Sequence, residues 1–222
     1  MSNIDILEVK AGIEEENEGY ARQVRAFLSD NDVAFINVMA SPGAGKTTLL
    51  CRLIDILKAE FCIGIIEADV DSDVDARTVA EHGAKVVQLH TGGSCHMDAR
   101  MTLQGLKALV PQMEGRKLVF LENIGNLVCP AEFDTGADTK LVILSTPEGD
   151  DKPLKYPLMF TVADVLVISK TELADVFSFS PERLEKNVRP LNKDAQILPL
   201  SARNGKGVDA LANWIRERVA AK

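Results

Sequence analysis

Long apolar runs are missing from this 222-residue chain. None approaches the roughly 18–20 residues that a bilayer-spanning helix needs. An excess of positive charge is missing too. Lysine and arginine number 25 against 33 aspartates and glutamates, a formal net charge of −8. That speaks against a nucleic-acid or anionic-membrane partner, since either calls for a basic face. The N-terminus, Met1-Ser2-Asn3-Ile4-Asp5, has neither the basic start nor the apolar stretch of a secretory signal, so the chain reads as cytoplasmic. Cysteine is scarce, at four residues, and in a reducing compartment all four are expected as thiols. Repeats, low-complexity tracts and linkers are absent. What remains is an ordinary globular composition, 46% apolar and 26% charged, in a chain long enough for one substantial α/β domain.

The pattern along the chain predicts a lead-in helix over Glu14–Asp30, so that residues 1–32 precede a main domain of residues 33–222. Its apolar stripe is Ile13, Tyr20, Val24, Phe27 and Leu28. Strands are then predicted at Val33–Met39, Cys62–Glu67, Lys85–Gln88, Lys117–Leu121, Lys140–Leu144, Val165–Ile168 and Gln196–Leu200. Helices are predicted at Thr47–Ala59, Val74–His82, Met97–Met113, Lys155–Thr161, Glu172–Phe177, Pro181–Leu191 and Val208–Ala220. Several strands are continuous apolar runs, the mark of a parallel sheet covered on both faces. The expected class is α/β, a doubly wound, mostly parallel sheet with ligands at the carboxyl ends of its strands.

The most specific stretch is Ala40-Ser41-Pro42-Gly43-Ala44-Gly45-Lys46-Thr47. Strand, glycine-rich loop and helix follow one another there, as a phosphate-binding P-loop requires. Backbone N–H groups from Gly43, Ala44, Gly45 and onward through Thr48 would cradle phosphate oxygens, helped by the helix N-terminus. Lys46 would reach the β- and γ-phosphates and Thr47 would hold Mg²⁺. Ala40 stands where the usual pattern opens with glycine, and its methyl is tolerable if the backbone stays at negative φ.

Acidic residues follow the second strand in Glu67-Ala68-Asp69-Val70-Asp71-Ser72-Asp73-Val74-Asp75. Asp69 at the strand end and Asp75 at a helix start are the candidates for Mg²⁺ or its waters; Asp71 and Asp73 read as a solvated turn. The fourth strand ends in Glu122-Asn123-Ile124-Gly125, where Glu122 can bind Mg²⁺ through water or position the attacking water, and Gly125 can swing a loop toward a γ-phosphate. The catalytic set is therefore Lys46, Asp75 and Glu122. Ser169-Lys170-Thr171-Glu172 stands where a GTPase carries Asn-Lys-x-Asp. A Glu172 carboxylate can still accept the N1–H and N2–H of guanine, with the Lys170 stem against the base. Ser201-Ala202-Arg203 fits the second guanine element, whose backbone N–H contacts O6.

Cys95 and His96 are adjacent, and Cys129 lies in Asn126-Leu127-Val128-Cys129-Pro130. Thiolate and imidazole suit Ni²⁺ or Zn²⁺. Cys51 and Cys62 lie in apolar segments and read as buried small hydrophobes, while His82 and His90 close a helix and a strand and read as structural. Together, Ala40–Thr47, Cys95-His96-Met97-Asp98-Ala99 and Glu122–Pro130 resemble a HypB-type hydrogenase maturation GTPase, a metal-handling branch of the P-loop NTPase fold, over roughly Val33 to the C-terminus. The resemblance implies GTP/GDP and Mg²⁺ as ligands and a homodimer promoted by GTP. It also implies nickel delivery to the large subunit of nickel–iron hydrogenase with a HypA-type nickel-binding partner, and a metal site of Cys95, His96 and Cys129 at the dimer interface. The N-terminal cysteine cluster and His-rich tract of some members have no counterpart here. Other readings are a urease-type accessory GTPase, whose metal motif Cys-Pro-His is not present, a P-loop kinase, and a nucleotide-dependent metal-binding scaffold.

Overall fold

The computed structural model describes residues 9–69 and 74–222, with side chains from Gly12 onward and without that of Asp69. In chain order the elements are α1 (Val9–Asp30), β1 (Val33–Ala40), α2 (Lys46–Leu57), β2 (Cys62–Asp69), α3 (Val74–Glu81), β3 (Lys85–His90), α4 (Ala99–Leu109) and β4 (Lys117–Glu122). There follow α5 (Cys129–Glu132), β5 (Thr139–Ser145), α6 (Lys152–Lys155), α7 (Pro157–Thr161), β6 (Val165–Ser169), α8 (Pro181–Val188), β7 (Gln196–Pro199) and α9 (Val208–Ala220). Seven strands form one sheet in the order β3-β2-β4-β1-β5-β6-β7, and every pairing is parallel.

The side-chain alternation of β1 shows why both faces are covered. Ala34, Ile36, Val38 and Ala40 meet Leu49, Leu50, Leu53, Ile54 and Leu57 of α2 and Leu211, Ala212 and Ile215 of α9. Val33 and Phe35 point the other way, into a cluster with Ala21, Val24 and Leu28 of α1 and Leu103 and Leu106 of α4. Each such large side chain contributes about 1.5–3 kcal/mol through burial, so a strand with no solvent face needs no polar alternation. The sheet reverses direction around β1: the chain moves outward through β2 and β3, returns to β4, then continues on β1's other side at β5. The crevice at that reversal is where such sheets take ligands.

Proline and capping chemistry correct three of the expected helices. Met97–Met113 is shorter at both ends. Asp98 caps α4 by accepting from Met101 N at 2.7 Å, and Pro111 tightens the exit into a 3-10 turn, Val110–Gln112. Lys155–Thr161 is split, because Pro157 cannot continue the turn that ends at Lys155 and instead starts α7. Glu172–Phe177 is only a 3-10 turn, Thr171–Leu173, entered from Lys170 at φ 57° without a side-chain cap. The short α5, over Cys129–Glu132, was not anticipated.

Candidate functional site

The phosphate cradle follows directly from β1. Gly43 and Gly45 take φ of 72° and 97°, the left-handed region that favours glycine, and α2 begins at Lys46 with no side chain capping its N-terminus. Its first N–H groups are left for an anion. Ala40 is strand and is not among the positive-φ residues, so its methyl fits. Gly125 is a close-approach glycine: a Cβ there would stand 2.9 Å from Pro42 N. The loop after β4 therefore lies directly on the P-loop, closer than a side chain permits.

Below Lys46 and Thr47 lies an acidic wall. Thr47 Oγ1 donates to Glu122 Oε1 at 2.9 Å. The register pairs Glu67 of β2 with Glu122 of β4, and Glu67, Asp75 and Glu122 present oxygens within 4.8 Å of one another. Both glutamates are buried, at 3% and 2% exposure. Burial raises the pKa of Glu122, opposed chiefly by the Lys46 charge. Burial and then the Glu122 charge raise that of Glu67. Two buried carboxyls in contact oppose each other's ionisation, and a nearby cation relieves that opposition. Thr47, Asp75 and Glu122 thus come together as expected for Mg²⁺, and among the described residues Oε2 of Glu122 has no hydrogen-bond partner. An oxygen set with an orphaned buried carboxylate atom fits a hard dication. The Asp69 side chain, Asp71 and Asp73 lie outside the described residues. Glu67 was not anticipated, although it lies two positions before Asp69 in the sequence.

The base-reading segments sit beside the P-loop. Ser169 Oγ donates to Ala44 O at 2.7 Å and Lys170 Nζ to Gly43 O at 2.6 Å. Glu172 is exposed in the following turn. Ser201 is fully buried, its N–H donating to Lys206 O at 2.8 Å. Arg52 of α2 holds the rest of that loop, donating to Ala202 O at 3.0 Å and Arg203 O at 3.2 Å. Nothing in the sequence pattern marked Arg52.

Cys95, His96 and Cys129 also converge, with ligand atoms within 4.8 Å of one another. Sγ of Cys95 lies 3.0 Å from Sγ of Cys129 and 3.7 Å from His96 Nδ1. The imidazole stacks on Phe133, with ring centroids 4.0 Å apart. Burial lowers the His96 pKa, which favours the neutral ring that a metal needs. The Cys129 contact is the main cause raising the Cys95 pKa. Two sulfurs and one nitrogen are a soft donor set for Zn²⁺ or Ni²⁺, with a coordination position left open. By contrast Cys51 is buried, its thiol pushed up to about 11 by desolvation, and His82 Nδ1 pairs with Asp55 at 2.8 Å. His90 ends β3. These stand apart from the cluster, as does the half-buried Cys62.

Two asparagines tie the sites together. Asn123, 1% exposed, accepts from Met97 N at 3.1 Å and Ile124 N at 2.9 Å, and donates to Asn37 Oδ1 at 3.2 Å. It joins the residue after His96 to the residue before Gly125. Asn17 of α1 donates to Asp134 O and accepts from Ala99 N, both at 2.9 Å, clamping the two metal-bearing loops from outside.

Known proteins are similar to this chain in sequence and fold. A family model described as CobW/HypB/UreG, nucleotide-binding domain, matches residues 34–199. The hydrogenase maturation factor HypB of Rhizobium leguminosarum bv. viciae is 40% identical over 220 residues, covering 99% of this chain and 73% of that one. The probable hydrogenase maturation factor HypB of Methanocaldococcus jannaschii is 36% identical over 219 residues, covering 99% and 98%. Among solved structures, HypB from Helicobacter pylori in complex with nickel superposes with a TM-score of 0.88 at 33% identity, covering 93% of this chain and 96% of that one.

Proposed function

The chain belongs to the CobW/HypB/UreG family, and from that premise we propose that it is a GTP-hydrolysing nickel chaperone that assists nickel insertion into nickel–iron hydrogenase. The observation that carries this is the convergence of Cys95, His96 and Cys129 on a loop that runs from Glu122 past Gly125, where it rests on the P-loop. A nucleotide cradle alone would serve many reactions. A soft metal site on the γ-phosphate side of that cradle has a use when the nucleotide state governs a metal.

Residues 33–222 act as the GTPase domain, with residues 1–32 as its lead-in. Gly43, Ala44, Gly45 and Thr48 bind phosphate through backbone N–H groups. Lys46 sets a positive charge against the phosphoryl charge that develops in the transition state. Thr47, Asp75, Glu122 and Asp69 hold Mg²⁺ or its waters, and the ion supplies further neutralisation of that charge. Asp75 or Glu122 orients the attacking water. Lys170, Glu172, Ser201 and Ala202 read guanine. Nickel is cargo, held by Cys95, His96 and Cys129. A homodimer promoted by GTP would bring two such sites face to face; the exposed Val128, Leu154 and Leu158, at 47%, 68% and 45%, support an apolar contact beside them. The nickel-binding partner is of HypA type and the recipient is the hydrogenase large subunit.

Hydrolysis rates with GTP and ATP test the reading. GTP should be turned over far faster, and Lys46→Ala should abolish turnover, a loss on the order of several kcal/mol of transition-state stabilisation. Equal rates with the two nucleotides would remove the guanine assignment.

A further inference from the structure

We propose that Glu67 is a positioning residue of the Mg²⁺ site, a carboxylate that acts with Glu122 on the ion or on one of its waters. This rests on the GTPase reading above. Glu67 lies inside β2, in a strand whose neighbours Ile63, Ile65 and Ile66 are buried apolar residues. An ionisable side chain there gains nothing from packing that an isoleucine would not supply, and burying it is unfavourable unless it is paired. Its register partner is Glu122 itself, the residue already held by the Thr47 hydroxyl at 2.9 Å.

The pairing leaves both groups incomplete. Among the described residues, Oε2 of Glu67 and Oε2 of Glu122 are buried without a hydrogen-bond partner. Orphaned buried acceptors are rare, and each calls for a missing ligand. Asp75 brings a third carboxylate oxygen within 4.8 Å of one oxygen from each glutamate, and Lys46 is close enough for its charge to act on both. A divalent cation held by Thr47 would sit against this wall and give the orphaned oxygens something to bind, directly or through water. As its register partner on the neighbouring strand, Glu67 would also help fix the rotamer of Glu122, as outer ligands fix inner ones in metal sites.

The test measures cation binding apart from turnover. Mn²⁺ stands in for Mg²⁺, and its affinity for the full-length GDP complex is read by electron paramagnetic resonance. Glu67→Gln keeps the volume and loses the charge; it should weaken Mn²⁺ about tenfold, the range for outer-shell partners. Its GDP affinity in EDTA should match that of the wild type. Glu67→Asp keeps the charge and should recover part of the Mn²⁺ affinity, and it carries the test if the Gln variant fails to fold. Thermal unfolding in EDTA separates a merely structural role. A variant that melts earlier yet binds Mn²⁺ like the wild type overturns the proposal, as does Mn²⁺ affinity unchanged in both variants. Wild-type protein whose Mn²⁺ binding does not respond to GDP would instead overturn the GTPase reading, and this inference with it.

Discussion

At Ser169 a short hydroxyl makes the tie to the P-loop, donating to Ala44 O at 2.7 Å, so the departure from asparagine there leaves the two segments joined. Glu172 is a different matter, because it is exposed on a 3-10 turn and its carboxylate reaches one methylene further than an aspartate. Glu172→Asp should leave GTP binding equal or tighter in a calorimetric titration. A loss of about tenfold, roughly 1.4 kcal/mol, would mean the pocket is built around the longer side chain. The cysteines divide more sharply. Cys95→Ala or Cys129→Ala should each remove most metal binding, since thiolates are the strongest ligands in the cluster. Cys51→Ala should leave binding intact, because this thiol is buried in the core beside Leu50 and Ile54, and should only lower stability. The Cys95 thiol has a raised pKa, chiefly through Cys129, so it is protonated at neutral pH and must release that proton to bind. Metal affinity measured across the neutral range should therefore rise with pH and fall as pH falls.

Among the elements, α8 is fastened to the segment before α6 by one carboxylate. Asp150, 7% exposed, accepts from Arg183 Nε at 2.7 Å, Arg183 Nη2 at 2.6 Å and Ser180 N at 2.9 Å. The Arg183 bonds are the leading cause holding its pKa below the ordinary value. A carboxyl depressed on folding contributes stability above its unfolded pKa, near 3.9, and loses it as pH falls through the lower folded value. Asp150→Asn should lower the melting temperature at pH 7 by roughly 3–6 °C, from about 1.5 kcal/mol for hydrogen bonds to a charged group. The gap to wild type should close in strong acid; a gap that persists there would place the effect in packing instead of charge. The same elements show what the sequence could reveal. The inner strands were legible because burial on both faces leaves unbroken apolar runs such as Val33–Met39; the partly buried edge strands β3 and β7 were legible from short apolar runs alone. The phosphate loop and the Cys-His-Cys cluster were legible because their residue types are tied to their chemistry. Glu67, Asn123, Asn17 and Arg52 were not. Each acts through a partner 26 to 150 positions away or across a strand pair, and no local period records such a contact. The helix boundaries failed where one proline, 111 or 157, outweighed a periodic apolar face.

For the molecule as a whole the question is whether the two sites feel one another. Glu122 hydrogen-bonds Thr47, Asn123 beside it holds Met97 N, and Gly125 three residues on lies against Pro42. Cys129 opens α5 after the same loop. A γ-phosphate that moves this loop must shift Cys129 relative to Cys95 and His96, and so alter the geometry offered to the metal. Metal affinity should differ between the GTP-analogue and GDP complexes, and by linkage the metal must change nucleotide affinity by the same factor. The dimer fraction should rise with the GTP analogue, because the exposed Val128 is bonded into the same loop, its N–H donating to Asn126 Oδ1 at 2.8 Å. Metal titration of both nucleotide states, with sedimentation run alongside, measures these terms together. Asn123→Ala should keep each affinity nearer its uncoupled value, because it removes the bond from the nucleotide loop to Met97 without touching a ligand. Equal metal affinities in the two wild-type nucleotide states would leave the Cys-His-Cys cluster outside the GTPase cycle, and release of nickel would then have to be driven by the recipient protein alone.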